Sequence, residues 1–198
     1  MNSEVTLINY SLFPRTRDQV RLLFERKDPH HAVLYEDDVP RYYLETSDGL
    51  NKVKIRDTAQ RMVAEVNRRM LLSDIFVLAA RNDGKAVKVS DVLALAPSTS
   101  DGQLSMLLNT EQGTYYWRKR RSHHWVLYDG LSHIPVAWSE TVPGTPPTWE
   151  LVMESQALSV LDYVLASFFY LRTSPDFTQA GRAWENVDCH AAGLSTKF

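Results

Sequence analysis

The sequence predicts a mainly β protein, a closed antiparallel barrel of about 12 strands around a buried helix near the carboxyl end. Two observations lead to this fold class. A long series of short segments, each rich in Val, Ile, Leu, Tyr and Trp, occupies most of the chain. These segments are followed by one almost wholly apolar run, Ala157–Leu171. Because strand side chains alone would not fill a barrel of this size, the apolar run is expected to complete the core.

The candidate strands share β-branched and aromatic residues and are separated by turn-forming residues. In chain order they are Val20–Phe24, Ala32–Tyr35, Arg41–Thr46, Lys52–Arg56, Ile75–Ala79, Leu104–Leu108, Thr114–Arg118, Trp125–Tyr128, Pro135–Ser139 and Trp149–Met153. The sequences Ser47-Asp48-Gly49, Asn82-Asp83-Gly84 and Asp129-Gly130 tolerate positive φ, which predicts hairpins rather than helical crossovers. Apolar and basic residues alternate over Lys52–Arg56, so one face of the sheet is expected to meet water.

Two segments fit more than one structure. Over Ile55–Met70 apolar residues recur at helical spacing, whereas Met62–Val66 also alternates as a strand does. We prefer the strand because the surrounding segments are all β, and the helix stays open as the alternative. In Ser90–Leu95, a serine before Asp91-Val92-Leu93 predicts a short helical turn capped by Ser90.

The run Ala157–Leu171 is interpreted as a helix buried inside the protein. A membrane span needs about 20 apolar residues, and this run is shorter and contains Asp162, whose carboxylate would be costly in hydrocarbon. Glu154 and Ser155 supply an acid and a capping hydroxyl at its start, and Pro175 is expected to end it.

Length and composition indicate one domain. The chain has 198 residues, 44% of them hydrophobic and 23% charged, and its net charge of −2 does not favour nucleic acid as a partner. We expect a barrel domain over residues 1–175 and a polar tail over residues 176–198. The single cysteine, Cys189, excludes an internal disulfide, and the first residues lack a secretory pattern. An intracellular, cytoplasmic location is expected, with membrane-peripheral or nuclear sites left open.

Several short motifs carry a family resemblance. They are Arg41–Thr46 (RYYLET), Gly113–Arg118 (GTYYWR), Val136–Trp138 (VAW), Trp149–Val152 (WELV) and the apolar helix from Leu158. In this order they resemble the tubby-like carboxyl-terminal domain superfamily, which includes the phospholipid scramblases and the plant LURP-one-related proteins. More specifically, the chain is similar to an uncharacterised family of fungal tubby-like domains. The similarity runs from about Val5 to Pro175.

This resemblance implies a fold rather than an activity, because members of the superfamily bind phosphoinositides, interact with membranes or have no known role. The lipid-contacting basic residues of the tubby proteins match no motif of this chain, so none of them is carried over.

The sharpest local chemistry lies between two candidate strands, where basic residues and histidines follow closely: Arg118, Lys119, Arg120, Arg121, His123 and His124. Guanidinium and ammonium groups at a hairpin tip suit a phosphate-bearing headgroup. The sequence therefore predicts a non-catalytic module that binds an anionic lipid or another anionic ligand at this tip. A solvated loop, a nuclear-import signal and a nucleic-acid contact remain other interpretations. The alternative function is a structural or protein-interaction domain.

Enzymatic chemistry is not indicated by any motif. The pairs His30-His31 and His123-His124 lack the spacing of a zinc site, and adjacent residues of one strand point to opposite faces. Cys189 lies in the polar tail, and the chain contains no GxSxG, P-loop or GxGxxG sequence. We expect no catalytic residue, no metal and no cofactor.

Overall fold

The computed structural model describes residues 13, 16, 18–28, 30–47, 51–96, 105–120, 124–143 and 148–173. Within these residues lie thirteen strands and two α-helices. The strands are β1 Val20–Arg26, β2 His31–Glu36, β3 Val39–Thr46, β4 Lys52–Asp57, β5 Met62–Asn67, β6 Ile75–Leu78, β7 Ala86–Lys88, β8 Leu93–Leu95, β9 Ser105–Thr110, β10 Gly113–Lys119, β11 Trp125–Asp129, β12 Pro135–Val142 and β13 Thr148–Met153. The helices are α1 Val89–Val92 and α2 Leu161–Thr173. Asn82–Gly84 and Ser155–Val160 form 3-10 helices.

The strands form one antiparallel sheet in the order β7-β6-β5-β4-β3-β2-β1-β13-β12-β11-β10-β9-β8. Among the described strands, every neighbouring pair is consecutive in the chain except β1 and β13, in which Val20 lies opposite Met153. The sheet therefore consists of two meanders, β1–β7 and β8–β13, joined where β1 pairs with β13. The hairpin connections predicted from the turn sequences agree with this topology.

The two edge strands of the sheet, β7 and β8, are separated in the chain only by α1, which has four residues. The sheet must therefore curve until both edges lie close to α1. The sequence predicted a closed ladder of about 12 strands. In the structure, the described strands form a series of pairs with two free ends, because the edge strands β7 and β8 do not pair with each other. The structure therefore shows a mainly β fold with a carboxyl-terminal helix packed against the sheet.

Each candidate strand overlaps an observed strand. The preferred interpretation of the ambiguous segment is also confirmed, because Met62–Asn67 is β5, with Ala64 and Val66 buried in the core. The short helical turn after Lys88 is confirmed as α1, but its predicted cap is wrong. Lys88 occupies the cap position, and no side chain caps the helix.

The apolar helix packs against the sheet and is buried, as predicted. Ten of the 13 residues of α2 are buried, so the helix presents apolar groups to its surroundings on nearly every side. Its predicted start needs correction, because Ser155–Val160 is a 3-10 helix and no side chain caps it at Glu154. Pro175 and the predicted tail, residues 176–198, lie outside the described residues, so the domain boundary stays a prediction. No helix in the described part of the chain combines the length and apolarity that crossing a bilayer requires.

Interactions between α2 and the strands are both apolar and polar. The indole nitrogen of Trp117 donates a hydrogen bond of 2.9 Å to Ser167 Oγ, which itself donates to the carbonyl of Tyr163 at 2.7 Å. Trp149 packs edge-on against Phe168, with ring centroids 5.2 Å apart. Each large apolar side chain buried in this way contributes about 1.5–3 kcal/mol. The helix is thus a main source of stability.

Two arginines in the connections that follow β5 and β6 bind the ends of this helix, and we call Arg68 and Arg81 the helix-end arginines. Arg81 Nε lies 3.0 Å from Asp162 Oδ2, and its Nη2 donates to the carbonyl of Ser159 at 2.8 Å. The hydrogen bond to Asp162 raises the pKa of Arg81, so the guanidinium group stays charged.

At the opposite end of α2, Arg68 donates to the carbonyl oxygens of Tyr170 and Thr173 and lies 2.8 Å from Thr173 Oγ1. A cation in this position also opposes the negative end of the helix dipole.

Candidate functional site

The β10–β11 hairpin presents different side chains on its two faces. In β10 the side chains of Tyr115 and Trp117 are buried in the main core, and strand alternation places Tyr116 and Arg118 on the opposite, outer face. Tyr116 lies opposite Tyr128 of β11 in the register. The outer face of this hairpin therefore carries aromatic and basic groups side by side.

These groups form a compact set that we call the arginine–tyrosine cluster, composed of Tyr116, Arg118, Arg120 and Tyr128. The two tyrosine rings stack, with centroids 5.2 Å apart and planes 12° apart. The guanidinium carbon of Arg118 lies 4.9 Å from the centroid of Tyr116 and 5.8 Å from that of Tyr128. Arg120 Nε donates to the hydroxyl of Tyr128 at 3.2 Å. Both guanidinium groups thus contact the ring of Tyr128, with their carbons 5.8 and 5.9 Å from its centroid.

Neighbouring residues support the cluster from two sides. The hydroxyl of Tyr116 is joined to His133 Nδ1 by a hydrogen bond of 2.6 Å. Tyr128 also belongs to a second group of buried residues, with Val126, Trp138 and Val152, on the outer face of β11–β13. Phe13 packs on this group, its ring centroid 4.6 Å from that of Trp138. The outer face is therefore dry in this region, although the sequence predicted one wet face.

The arginines of the cluster differ in their electrostatic environment from several other arginines of the protein. These others pair with carboxylates at 3.5 Å or less, namely Arg21, Arg41, Arg56, Arg61 and Arg81. In the part of the chain that the structure describes, no carboxylate forms such a pair with Arg118 or Arg120. Arg118 Nε is buried and has no hydrogen-bond partner among the described residues. Burial raises the pKa of Tyr116, which keeps its hydroxyl neutral. The positive charge of the cluster is not neutralised by these residues.

Strand alternation divides the basic segment that the sequence singled out. Arg118 and Arg120 come together on the outer face, whereas Lys119 lies on the opposite face, where burial lowers its pKa. His124 contacts the carbonyl of Ser139 through Nδ1 at 2.8 Å. Arg121 and His123 lie outside the described residues. A binding role for these residues stays a prediction.

The sequence analysis missed the partners of the two arginines, Tyr116 and Tyr128, and also His133, which is hydrogen-bonded to Tyr116. Tyr116 had been noted only as part of a family motif. The available signal was the register of the β10–β11 hairpin, which places Tyr116 beside Tyr128 once the loop length is known.

A separate groove of about 590 Å³ lies where β7, α1 and the β9–β10 turn meet. Its lining includes Lys88, Asp91, Glu111 and Tyr163, so it carries charges of both signs. Among the described residues, no group of three or more His, Cys, Asp or Glu side chains is arranged to hold a metal ion.

Residues 27–174 match the model of a family of unknown function, DUF6593, and the chain belongs to this family. The expectation of an uncharacterised family is thereby confirmed, and membership in the tubby-like superfamily stays a prediction. A solved structure similar to this one is the X-ray structure of an Arabidopsis thaliana protein, AT5G01750, with 11% sequence identity and a TM-score of 0.39. The similarity covers 76% of this chain and 91% of the Arabidopsis chain. No curated protein matches this sequence.

Proposed function

We propose that this chain is a non-catalytic binding module of tubby-like barrel fold that recognises anionic lipid headgroups at a cytoplasmic membrane surface. The observation that carries the proposal is the arginine–tyrosine cluster, in which two guanidinium groups are held together without a carboxylate partner among the described residues. Charge that the fold does not neutralise is available to a ligand.

The chemistry of the cluster suits a phosphate group. Each guanidinium presents several N–H donors in a planar fork, which matches the oxygens of a phosphate. Stacking on the rings of Tyr116 and Tyr128 restricts the side chains before binding, so less conformational entropy is lost when the ligand arrives. Arg121 and His123 follow directly in the sequence, and we include them as further contacts to the same ligand.

The test removes both charges with Arg118→Gln and Arg120→Gln in one protein. Co-sedimentation is measured with vesicles of phosphatidylcholine alone and with vesicles that also contain phosphatidylserine and phosphoinositides. We expect the unaltered protein to bind only the anionic vesicles. At about 1 kcal/mol for each basic residue at an anionic surface, the double variant should bind them roughly 30-fold more weakly.

A matched control removes two exposed charges from other hairpins, with Arg61→Gln and Lys85→Gln. This control should bind anionic vesicles nearly as the unaltered protein does. Equal binding by both double variants, or equal binding of the unaltered protein to neutral and anionic vesicles, would contradict the proposal. The alternative function, a protein-interaction domain whose basic hairpin is incidental, would then be favoured.

A further inference from the structure

The connection between β5 and β6 exposes three consecutive large apolar side chains. Met70 is 97% exposed, Leu71 is 95% exposed and Leu72 is 65% exposed. We call Met70–Leu72 the apolar tip. Single exposed apolar residues are common on protein surfaces, but a contiguous group at the end of a hairpin marks a site of interaction.

The backbone around the apolar tip is held by internal hydrogen bonds. Asp74 Oδ1 accepts from the backbone N–H of Arg69 at 2.9 Å, and Arg69 Nε donates to the carbonyl of Ser73 at 2.8 Å. The other carboxylate oxygen of Asp74 accepts from the hydroxyl of Tyr170 on α2, also at 2.9 Å. These bonds satisfy polar groups at the base of the tip, which favours transfer of the tip into an apolar medium.

The topology places the apolar tip and the end of β10 at which Arg118 and Arg120 lie at the same end of the sheet. The other members of the cluster, Tyr116 and Tyr128, lie further along the hairpin, toward the β11–β12 turn that contains His133. In the strand order, β5 and β10 are separated by eight antiparallel steps, so both strands run in the same direction. The β5–β6 and β10–β11 connections therefore both lie at the end where Arg68 meets the carboxyl end of α2. Arg118 and Arg120 are therefore the members of the cluster nearest to the end of the sheet that carries the apolar tip.

We propose that the apolar tip inserts into the acyl-chain region of an anionic bilayer while Arg118 and Arg120 of the arginine–tyrosine cluster contact the headgroups. This inference rests on the proposed function, and it commits the protein to a lipid bilayer rather than to a soluble anion. A stable protein interface buries about 800 Å² on each partner, and three side chains on a convex tip supply only a part of that area. A fluid bilayer accommodates such a tip, and Arg69 at its base complements anionic lipid.

The direct test attaches an environment-sensitive fluorophore to a single cysteine, using Leu71→Cys in a Cys189→Ser background. The matched control is Leu131→Cys, because Leu131 is 94% exposed in the β11–β12 turn at the opposite end of the sheet. With vesicles of phosphatidylcholine and phosphatidylserine, we expect a blue shift at position 71 and quenching by nitroxide-labelled acyl chains. The label at position 131 should respond to neither.

A second pair of variants measures the contribution of the tip to binding. Leu71→Ser should weaken co-sedimentation with the same vesicles roughly 10- to 100-fold, because burial of one leucine side chain is lost. Leu131→Ser should have no effect. Both residues are exposed, so neither substitution should alter the melting temperature.

The outcomes separate this inference from the proposed function. If the protein co-sediments with anionic vesicles but the label at position 71 does not respond, insertion is wrong and headgroup binding stands. If that label responds equally in the presence and absence of Arg118→Gln/Arg120→Gln, insertion stands and the proposed role of the cluster is wrong. If Leu71→Ser converts a dimer into a monomer in sedimentation velocity without changing vesicle binding, the tip is a self-association site and insertion is wrong.

Discussion

The two helix-end arginines and the two arginines of the arginine–tyrosine cluster lie against the same sheet in opposite electrostatic circumstances. Arg81 faces the buried carboxylate of Asp162, and Arg68 faces the carbonyl oxygens at the end of α2. Arg118 and Arg120 instead face the aromatic rings of Tyr116 and Tyr128. Acceptor groups of the protein itself bind the helix-end arginines, so these two arginines stabilise the fold. The second pair keeps its charge available, which is why we assign it to binding.

The largest effect is expected from Arg81→Ala. Asp162 is only 7% exposed, so the substitution leaves a nearly buried carboxylate without its cation. Breaking one side of a buried pair costs about 3–5 kcal/mol, and the partial exposure of Arg81 places this case near about 3 kcal/mol. Urea unfolding measures the loss.

A double variant tests the cause of that loss. Adding Asp162→Asn to Arg81→Ala removes the unpaired charge and should recover part of the stability. If the double variant is less stable than Arg81→Ala alone, the ion pair does not explain the role of Arg81, and the contrast between the two pairs of arginines weakens.

A smaller loss, about 2 kcal/mol, is expected from Arg68→Ala, because two helix-end carbonyls lose a charged donor. The matched control is Arg69→Ala, whose guanidinium donates to the carbonyl of Ser73 within its own hairpin. Thermal unfolding should show a clear decrease in the melting temperature for the first variant and little change for the second. Equal decreases would mean that the hairpin, rather than the helix end, depends on these arginines.

The smallest effect on stability is expected from the double variant Arg118→Gln/Arg120→Gln. Arg118 is half-buried and Arg120 is exposed. Cation–π contacts of such arginines contribute about 0.5–1 kcal/mol each, and glutamine keeps part of the packing, so the combined loss should stay at about 1 kcal/mol. Chemical unfolding of this variant beside Arg81→Ala compares the two classes directly. A loss as large as that of Arg81→Ala would assign the cluster to folding and remove the argument for a ligand.

Much of the fold could be predicted from the sequence because its elements have strong local patterns. Alternating side chains and turn residues predicted the longer strands, and the almost wholly apolar run Ala157–Leu171 predicted a helix buried inside the protein. The preference for a strand over Met62–Val66 was right. Periodicity alone allowed either a helix or a strand there, and the strands on both sides of the segment favoured the strand.

Other features depend on contacts that no local pattern encodes. The three-residue strands β7 and β8 are too short to show alternation, so they were not predicted. The basic segment was predicted as one charged tip, but pleating separates Lys119 from its neighbours. Stacking of Arg118 on Tyr116 and Tyr128 depends on hairpin register, and burial of the outer face depends on Phe13, which is distant in sequence.

The pairing of β1 with β13 has a consequence for the order in which the chain folds. Every other strand pair forms between consecutive strands and closes a short loop, but this pair joins residues such as Arg21 and Glu150, which are 129 positions apart. Closing so long a loop costs more chain entropy than closing any hairpin of the sheet. We therefore expect the two meanders to form first and their union to limit the folding rate. The helix that follows β13 gains its full enclosure only after that step.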